Sequence, residues 1–306
     1  MQFPEAITVV EVGPRDGLQT LGRWIPTDAK IRMVDRLSEA GLPVIEAAAF
    51  ASPTAVPMLA DAEAVFGGIT RRPGTVYRAM APNQRGLARA LEAGADEITA
   101  LTTVSEAYTR RNQRMSVEEA TETAAAVYRG AYQAGRSAVV AVGMALWCPL
   151  DGAIAPDRTF AVVRRLHAGG VRRLYLAGSF GREDPRRVGA LIRGVRRRWP
   201  DLEVGFHAHD TAGFAIGNSL AALDAGASFL EGSIGGLGGG TVYEHSMPHS
   251  GNVCTEDLIH VLEVCGIRTG VPTDTINEAA LEIGTLLGIE PASRVRLNRR
   301  PTVLSI

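Results

Sequence analysis

Five Ala-Gly dipeptides, Ala40-Gly41, Ala93-Gly94, Ala134-Gly135, Ala168-Gly169 and Ala225-Gly226, mark a rhythm along the chain. Each closes a stretch of helical periodicity and opens a short apolar run. A glycine just past a helix end adopts the left-handed conformation that stops the helix, and a strand begins within a few residues. The rhythm is that of a repeating α/β unit. Strands are expected at 8–12, 44–48, 76–80, 97–101, 138–144, 173–176, 203–207 and 229–234. Eight β/α units in about 250 residues match a closed (β/α)8 TIM barrel. An open doubly wound sheet tends to have fewer strands and a Gly-rich phosphate fingerprint, and no G-x-G-x-x-G follows the first strand. Two extra C-terminal helices are expected at 255–265 and 273–287, each starting at a threonine that reads as its cap. A catalytic domain over 1–289 and a short basic tail over 290–306 complete the division.

The chain's 306 residues are 46% hydrophobic, enough for a substantial core, and its net charge is −1. Near-neutrality gives no electrostatic reason to expect nucleic acid or an anionic membrane as partner. The arginines at Arg186-Arg187 and over 193–198 have no interleaved aromatics and read as the solvated outer face of a helix. No apolar stretch reaches the roughly 18 to 20 residues that span a bilayer. Met1-Gln2-Phe3-Pro4-Glu5 has no basic segment leading into an apolar one, so a cytoplasmic location is expected. Cys148, Cys254 and Cys265 show no C-x-x-C spacing and read as buried free thiols. Lys30, the only lysine, opens an amphipathic helix over 27–40 and is poorly placed to be the buried amine of a Schiff-base enzyme. Carbonyl chemistry here would need a metal.

Reactive residues of such barrels lie at the carboxyl ends of the strands. Arg15 and Asp16 follow the first strand in Glu11-Val12-Gly13-Pro14-Arg15-Asp16-Gly17-Leu18-Gln19, where Gly-Pro ends it abruptly. The bland alternative is an exposed ion pair, worth little. His207-Ala208-His209-Asp210 ends the seventh strand. Alternate strand residues point the same way, so both imidazoles can face one point. Imidazoles, a carboxylate and the amide oxygen of Asn252 suit a divalent ion that keeps positions open for substrate. Glu46 interrupts an apolar run, and a buried acid needs a partner; Arg15 on the neighbouring strand is the expected one. The run Gly235-Gly236-Leu237-Gly238-Gly239-Gly240 is a weak phosphate cradle, because no Lys-Ser/Thr follows it. It reads instead as the hinge of a mobile lid over 241–250.

These motifs resemble those of hydroxymethylglutaryl-CoA lyase and the wider group of metal-dependent barrel lyases and condensing enzymes. The likeness runs nearly end to end, through residues 9–19, Val44-Ile45-Glu46, Ser52-Pro53, Ala81-Pro82-Asn83, Cys148-Pro149, residues 207–211, Gly236-Leu237-Gly238-Gly239 and Ser250-Gly251-Asn252. The resemblance implies that Asp16, His207, His209 and Asn252 ligate a divalent metal, magnesium or manganese, with zinc or cobalt as alternatives. It implies that Arg15 stabilises an enolate and that Glu46 supports it. The reaction implied is metal-assisted cleavage of a carbon–carbon bond in a 3-hydroxy acid or 3-hydroxyacyl-CoA, with Asp16 as base. The expected partners are that small molecule and a second copy of the chain in a homodimer.

The chain departs from the lyase pattern in three places. The cysteine and Pro-Tyr that follow the glycine run in the lyases are replaced by Gly240-Thr241-Val242-Tyr243, so the lid thiol that supplies the final proton is missing. Tyr243, His245 and His249 on the lid are the candidates to replace it. Ala177-Gly178-Ser179 stands where the family has Gly-Asp-Thr, and Ala212 and Phe214 replace a tyrosine and a glutamine. A condensing enzyme joining an acyl-CoA enolate to a 2-oxo acid is the second reading, disfavoured because the glutamate-arginine pair of those relatives is absent. A catalytically silent binding protein is the third.

Overall fold

The computed structural model describes residues 1–238 and 251–295. Strands β1 (Thr8–Glu11), β2 (Val44–Ala49), β3 (Val76–Met80), β4 (Glu97–Thr103) and β5 (Ser137–Gly143) form the first part of the barrel. Strands β6 (Trp147–Cys148) and β7 (Gly152–Ala153) make a small antiparallel hairpin outside it. Strands β8 (Arg173–Gly178), β9 (Glu203–Ala208) and β10 (Phe229–Gly232) complete the ring. All barrel neighbours are parallel, and β1 pairs with both β10 and β2, placing Thr8 opposite Phe229 and Val10 opposite Val44. The eight expected strands are those of a closed (β/α)8 barrel.

Helices α1 (Thr27–Glu39), α2 (Ala62–Gly68), α3 (Gln84–Glu92), α4 (Glu106–Gln113), α5 (Val117–Gln133), α6 (Pro156–Ala168), α7 (Pro185–Arg198) and α8 (Ala215–Asp224) lie between strands. Helices α9 (Thr255–Val264) and α10 (Thr273–Leu287) follow the barrel. Strand side chains alternate, so Val9, Ile45, Ile98, Val140, Leu174 and Leu230 pack outward under the helices. Val10, Val44, Val139, Tyr175 and Phe229 form a second cluster, inside the ring. Gly41, Gly94, Gly135 and Gly226 have φ of 88°, 78°, 71° and 92°, as the Ala-Gly rhythm requires. After α6 the left-handed residue is Gly170 at 92°, one position later than expected.

Three expectations are corrected. Thr255 and Thr273 do not cap α9 and α10; the cap positions are Cys254 and Pro272. The threonine hydroxyls donate to carboxylates instead, Thr255 to Glu11 Oε2 at 2.6 Å and Thr273 to Glu263. Cys265 is exposed at the end of α9, whereas Cys148 and Cys254 are buried. Lys30 is buried, because the segment leading into α2 folds over it: Nζ lies 2.6 Å from both Asp61 Oδ1 and the Met58 carbonyl. It is held there as half of an ion pair. No helix among the described residues is long and apolar enough to cross a membrane.

Candidate active site

After β1 the chain makes a single π turn over Gly13–Gly17. Both Asp16 and Gly17 donate their backbone N–H to the Val12 carbonyl, at 2.7 and 3.3 Å. This tight turn sets Arg15 and Asp16 at the rim of the barrel. Its first residue must be glycine, since a Cβ at 13 would lie 2.6 Å from Glu11 Oε1. The Glu11 carboxylate is wholly buried and accepts from the N–H of Gly13 at 2.6 Å and of Ile234 at 2.9 Å. It thereby ties the turn bearing Asp16 to the loop after β10.

Arg15 is buried and forks between two carboxylates: Nη1 lies 2.6 Å from Asp16 Oδ1, and Nε donates to Glu46. The bland reading as an exposed ion pair is thus excluded by burial. Glu46 has no exposure, stands in the middle of β2, and takes a second hydrogen bond from Thr99 Oγ1 at 2.6 Å. Burial lowers the proton affinity of the Arg15 guanidinium, but the charges of Glu46 and Asp16 outweigh it, so Arg15 stays cationic.

His207 and His209 project from the end of β9 with ring centroids 5.0 Å apart. Among the described residues, Asp16, His207 and His209 each offer one ligand atom within 4.8 Å of the others. Burial raises the Asp16 pKa, but Arg15, the two histidines and the Asn252 amide lower it more, leaving it at about 2. Asp16 is therefore ionised at any working pH. Burial pushes the His207 pKa down, while the Glu231 hydrogen bond and the charges of Glu231 and Asp16 raise it beyond its usual value.

Asn252 reaches the group from another element. Residues 251–253 run antiparallel beside the end of β9: Asp210 N–H donates to the Gly251 carbonyl at 2.8 Å, and Val253 N–H to that of Ala208 at 2.9 Å. Asn252 Nδ2 donates to Asp16 Oδ2 at 2.8 Å and to the Leu237 carbonyl at 2.9 Å. Among the described residues its Oδ1 is buried without a hydrogen-bond partner. An orphaned amide oxygen beside a carboxylate and two imidazoles is what a divalent ion would complete, so the donor set fits the metal expected from the sequence. Asp210 does other work, accepting from the N–H of Ala215 at the start of α8 at 3.0 Å.

Tyr243, His245 and His249 lie outside the described residues, so the structure neither brings them to the site nor separates them from it. Phe214, expected in a rebuilt substrate pocket, is exposed at the start of α8. At the end of β8 the space beside Gly178 is taken by the carboxyl of Glu183, since a Cβ at 178 would lie 1.9 Å from Glu183 Oε1. Glu183 is buried, neither carboxyl oxygen has a partner among the described residues, and burial raises its pKa.

Sequence reading missed the charges beneath the rim. His207 Nδ1 lies 3.1 Å from Glu231 Oε2, and Arg78 Nη1 lies 2.7 Å from Glu231 Oε1. Tyr175 stacks obliquely beside His207, with ring centroids 6.0 Å apart. The available signal was the one that flagged Glu46: a charged residue inside an apolar strand, as at Arg78 and Glu231.

The HMGL-like family model matches residues 6–283. The mitochondrial hydroxymethylglutaryl-CoA lyase of Mus musculus is 39% identical over 293 residues, covering 96% of this chain and 89% of the relative. The HMG-CoA lyase of Bacillus subtilis superimposes with a TM-score of 0.92 at 34% identity, covering 97% of this chain and 99% of that one. An HMG-CoA lyase from Acinetobacter baumannii, in complex with coenzyme A and 3-methylmalate, superimposes with a TM-score of 0.89 at 32% identity, covering 100% and 99%. With the barrel, the strand-end residues and these likenesses in agreement, the chain belongs to the HMGL-like family.

Proposed function

We propose that the chain cleaves a carbon–carbon bond in a 3-hydroxy acid or its CoA thioester, using a divalent ion held by Asp16, His207, His209 and Asn252. A lyase of the hydroxymethylglutaryl-CoA lyase kind agrees with the whole-chain likeness to such enzymes. The observation that carries the metal reading is the convergence of three ligand atoms within 4.8 Å beside Asn252 Oδ1, which has no hydrogen-bond partner among the described residues. Magnesium or manganese would suit this set, with zinc or cobalt as alternatives. Bound there, the ion would polarise the substrate's hydroxyl and a neighbouring oxygen.

The chain's own residues supply the rest. Asp16, ionised throughout, accepts the hydroxyl proton once that hydroxyl has been made acidic. As the deprotonated oxygen becomes a carbonyl, the adjacent carbon–carbon bond breaks and its electron pair leaves with the departing fragment as an enolate, whose charge Arg15, fixed by Glu46, meets without moving. The last proton comes from Tyr243, His245 or His249. A CoA-linked substrate agrees with the coenzyme A in the Acinetobacter baumannii relative. A panel of 3-hydroxyacyl-CoA thioesters and free 3-hydroxy acids, incubated with magnesium or manganese and followed by mass spectrometry, tests the reading. Cleavage of at least one member, lost on chelation, is expected. Metal-dependent joining of an acyl-CoA to a 2-oxo acid, with no cleavage, would establish the condensing reading instead. The expected homodimer is checked by light scattering.

A further inference from the structure

Below the metal-ligand rim, the barrel interior holds a run of paired charges. Arg78 on β3 has no exposure, and its guanidinium forks between Glu231 Oε1 on β10, at 2.7 Å from Nη1, and Glu97 Oε2 on β4, at 2.6 Å from Nε. Glu97 in turn pairs with Arg173 on β8. The other oxygen of Glu231 lies 3.1 Å from His207 Nδ1. One continuous path therefore joins His207, Glu231, Arg78, Glu97 and Arg173.

A fold alone does not call for this path. Removing such charges from water costs several kcal/mol per ion, and well-packed apolar side chains commonly do as well or better. Interior positions of the same barrel are in fact filled by Val10, Val44, Val139 and Phe229. What the charged path supplies is direction. Glu231 engages Nδ1 of His207, so Nε2 is the nitrogen left for an ion. The Glu231 carboxylate is itself held by a guanidinium whose fork spans two strands. A ring whose other nitrogen is held in this way cannot swing off its ligating direction.

We propose that Arg78 is a positioning residue for the metal centre, acting through Glu231 on the orientation of His207. This rests on the proposed metal site. The test is the affinity for Mn²⁺ alone, read by electron paramagnetic resonance on the full chain at one pH. His207→Ala must lose the ion; if it binds as the wild type does, the metal reading falls and this inference with it. Given that loss, Arg78→Met and Glu231→Gln are each expected to weaken Mn²⁺ binding about tenfold or more. The double variant should be no weaker than the worse single one, because both changes break the same path. Wild-type affinity in Arg78→Met, or penalties that simply add, would overturn the inference while leaving the metal site standing. Should Arg78→Met fail to fold, Arg78→Lys keeps the buried charge, but its single ammonium cannot reproduce the fork. It is expected to bind Mn²⁺ several-fold more weakly, and wild-type affinity there would overturn the positioning role.

Discussion

Asn252 and Asp16, 236 positions apart in the chain, share a 2.8 Å hydrogen bond that sets the amide beside the carboxylate, with Oδ1 unpartnered among the described residues. The bond crosses from the turn after β1 to the segment beyond the glycine run. It joins two elements that must be in register before four donors can meet one ion.

Removing a donor should remove the ion. His207→Ala and His209→Ala are each expected to lose divalent-metal affinity by at least about a hundredfold in calorimetric titration, with the fold intact by circular dichroism. Unchanged affinity and stoichiometry in either variant would refute the ligand assignment.

Gly238 guards the same geometry from the loop side. Its φ is +110°, and a Cβ there would lie 2.5 Å from Asn252 Nδ2 and 3.3 Å from Asp16 Oδ2. Gly238→Ala should displace the Asn252 side chain and weaken metal binding about tenfold. An alanine variant with wild-type affinity would show that the amide is not a ligand.

The proposed reaction adds a second duty to the ion pairing of Arg15, and one substitution confounds the two. Arg15→Met leaves Glu46 buried with Thr99 as its one remaining partner among the described residues, at a cost of about 3 kcal/mol in stability. Turnover should also fall at least about a hundredfold, because enolate charge arises only in the reaction. Arg15→Met/Glu46→Gln should recover most of the stability in urea denaturation and none of the turnover. Recovery of both would assign Arg15 to folding alone.

The proposed final proton donor is tested by His245→Ala, His249→Ala and Tyr243→Phe. With an unperturbed pKa near 6.5, a histidine suits proton donation at neutral pH, whereas a tyrosine near 10 is a weaker acid. One histidine variant should turn over at least about tenfold more slowly, with an altered pH profile and altered incorporation of solvent deuterium. Three variants at wild-type rate with an unmoved profile would assign that proton to water.

Stability should fall as pH rises through the neutral range. Burial, the largest influence, lifts Glu11 from 4.5 to about 7 against its hydrogen bonds from Thr255, Ile234 and Gly13. Burial likewise lifts Glu256 to about 8. Both groups bind a proton more tightly folded than unfolded, so their contribution is fully present below about pH 4.5 and is lost as pH passes 7 to 8. Glu11→Gln mimics the protonated acid and should flatten the decline between pH 5 and 7, by on the order of 3 kcal/mol. Urea denaturation at intervals of one pH unit checks this, and an unchanged slope in the variant would refute it.

Local signals were enough for the barrel and for most of the rim. Helix-stopping glycines and apolar runs act within a few residues, so the eight strands were legible from 8–12 to 229–234. The period of two placed His207 and His209 on one side, and an acid in an apolar run marked Glu46 as needing a partner. Only the tertiary structure decided which residues pair across the ring. Arg78 meets Glu231 across 153 positions, and Asn252 meets Asp16 through an antiparallel segment with no local signature. The hydroxyl of Thr255 is likewise drawn from a capping role to Glu11, 244 positions away. Periodicity tells which way a side chain points; what it meets depends on closure of the barrel, which brings strands remote in sequence within hydrogen-bonding distance.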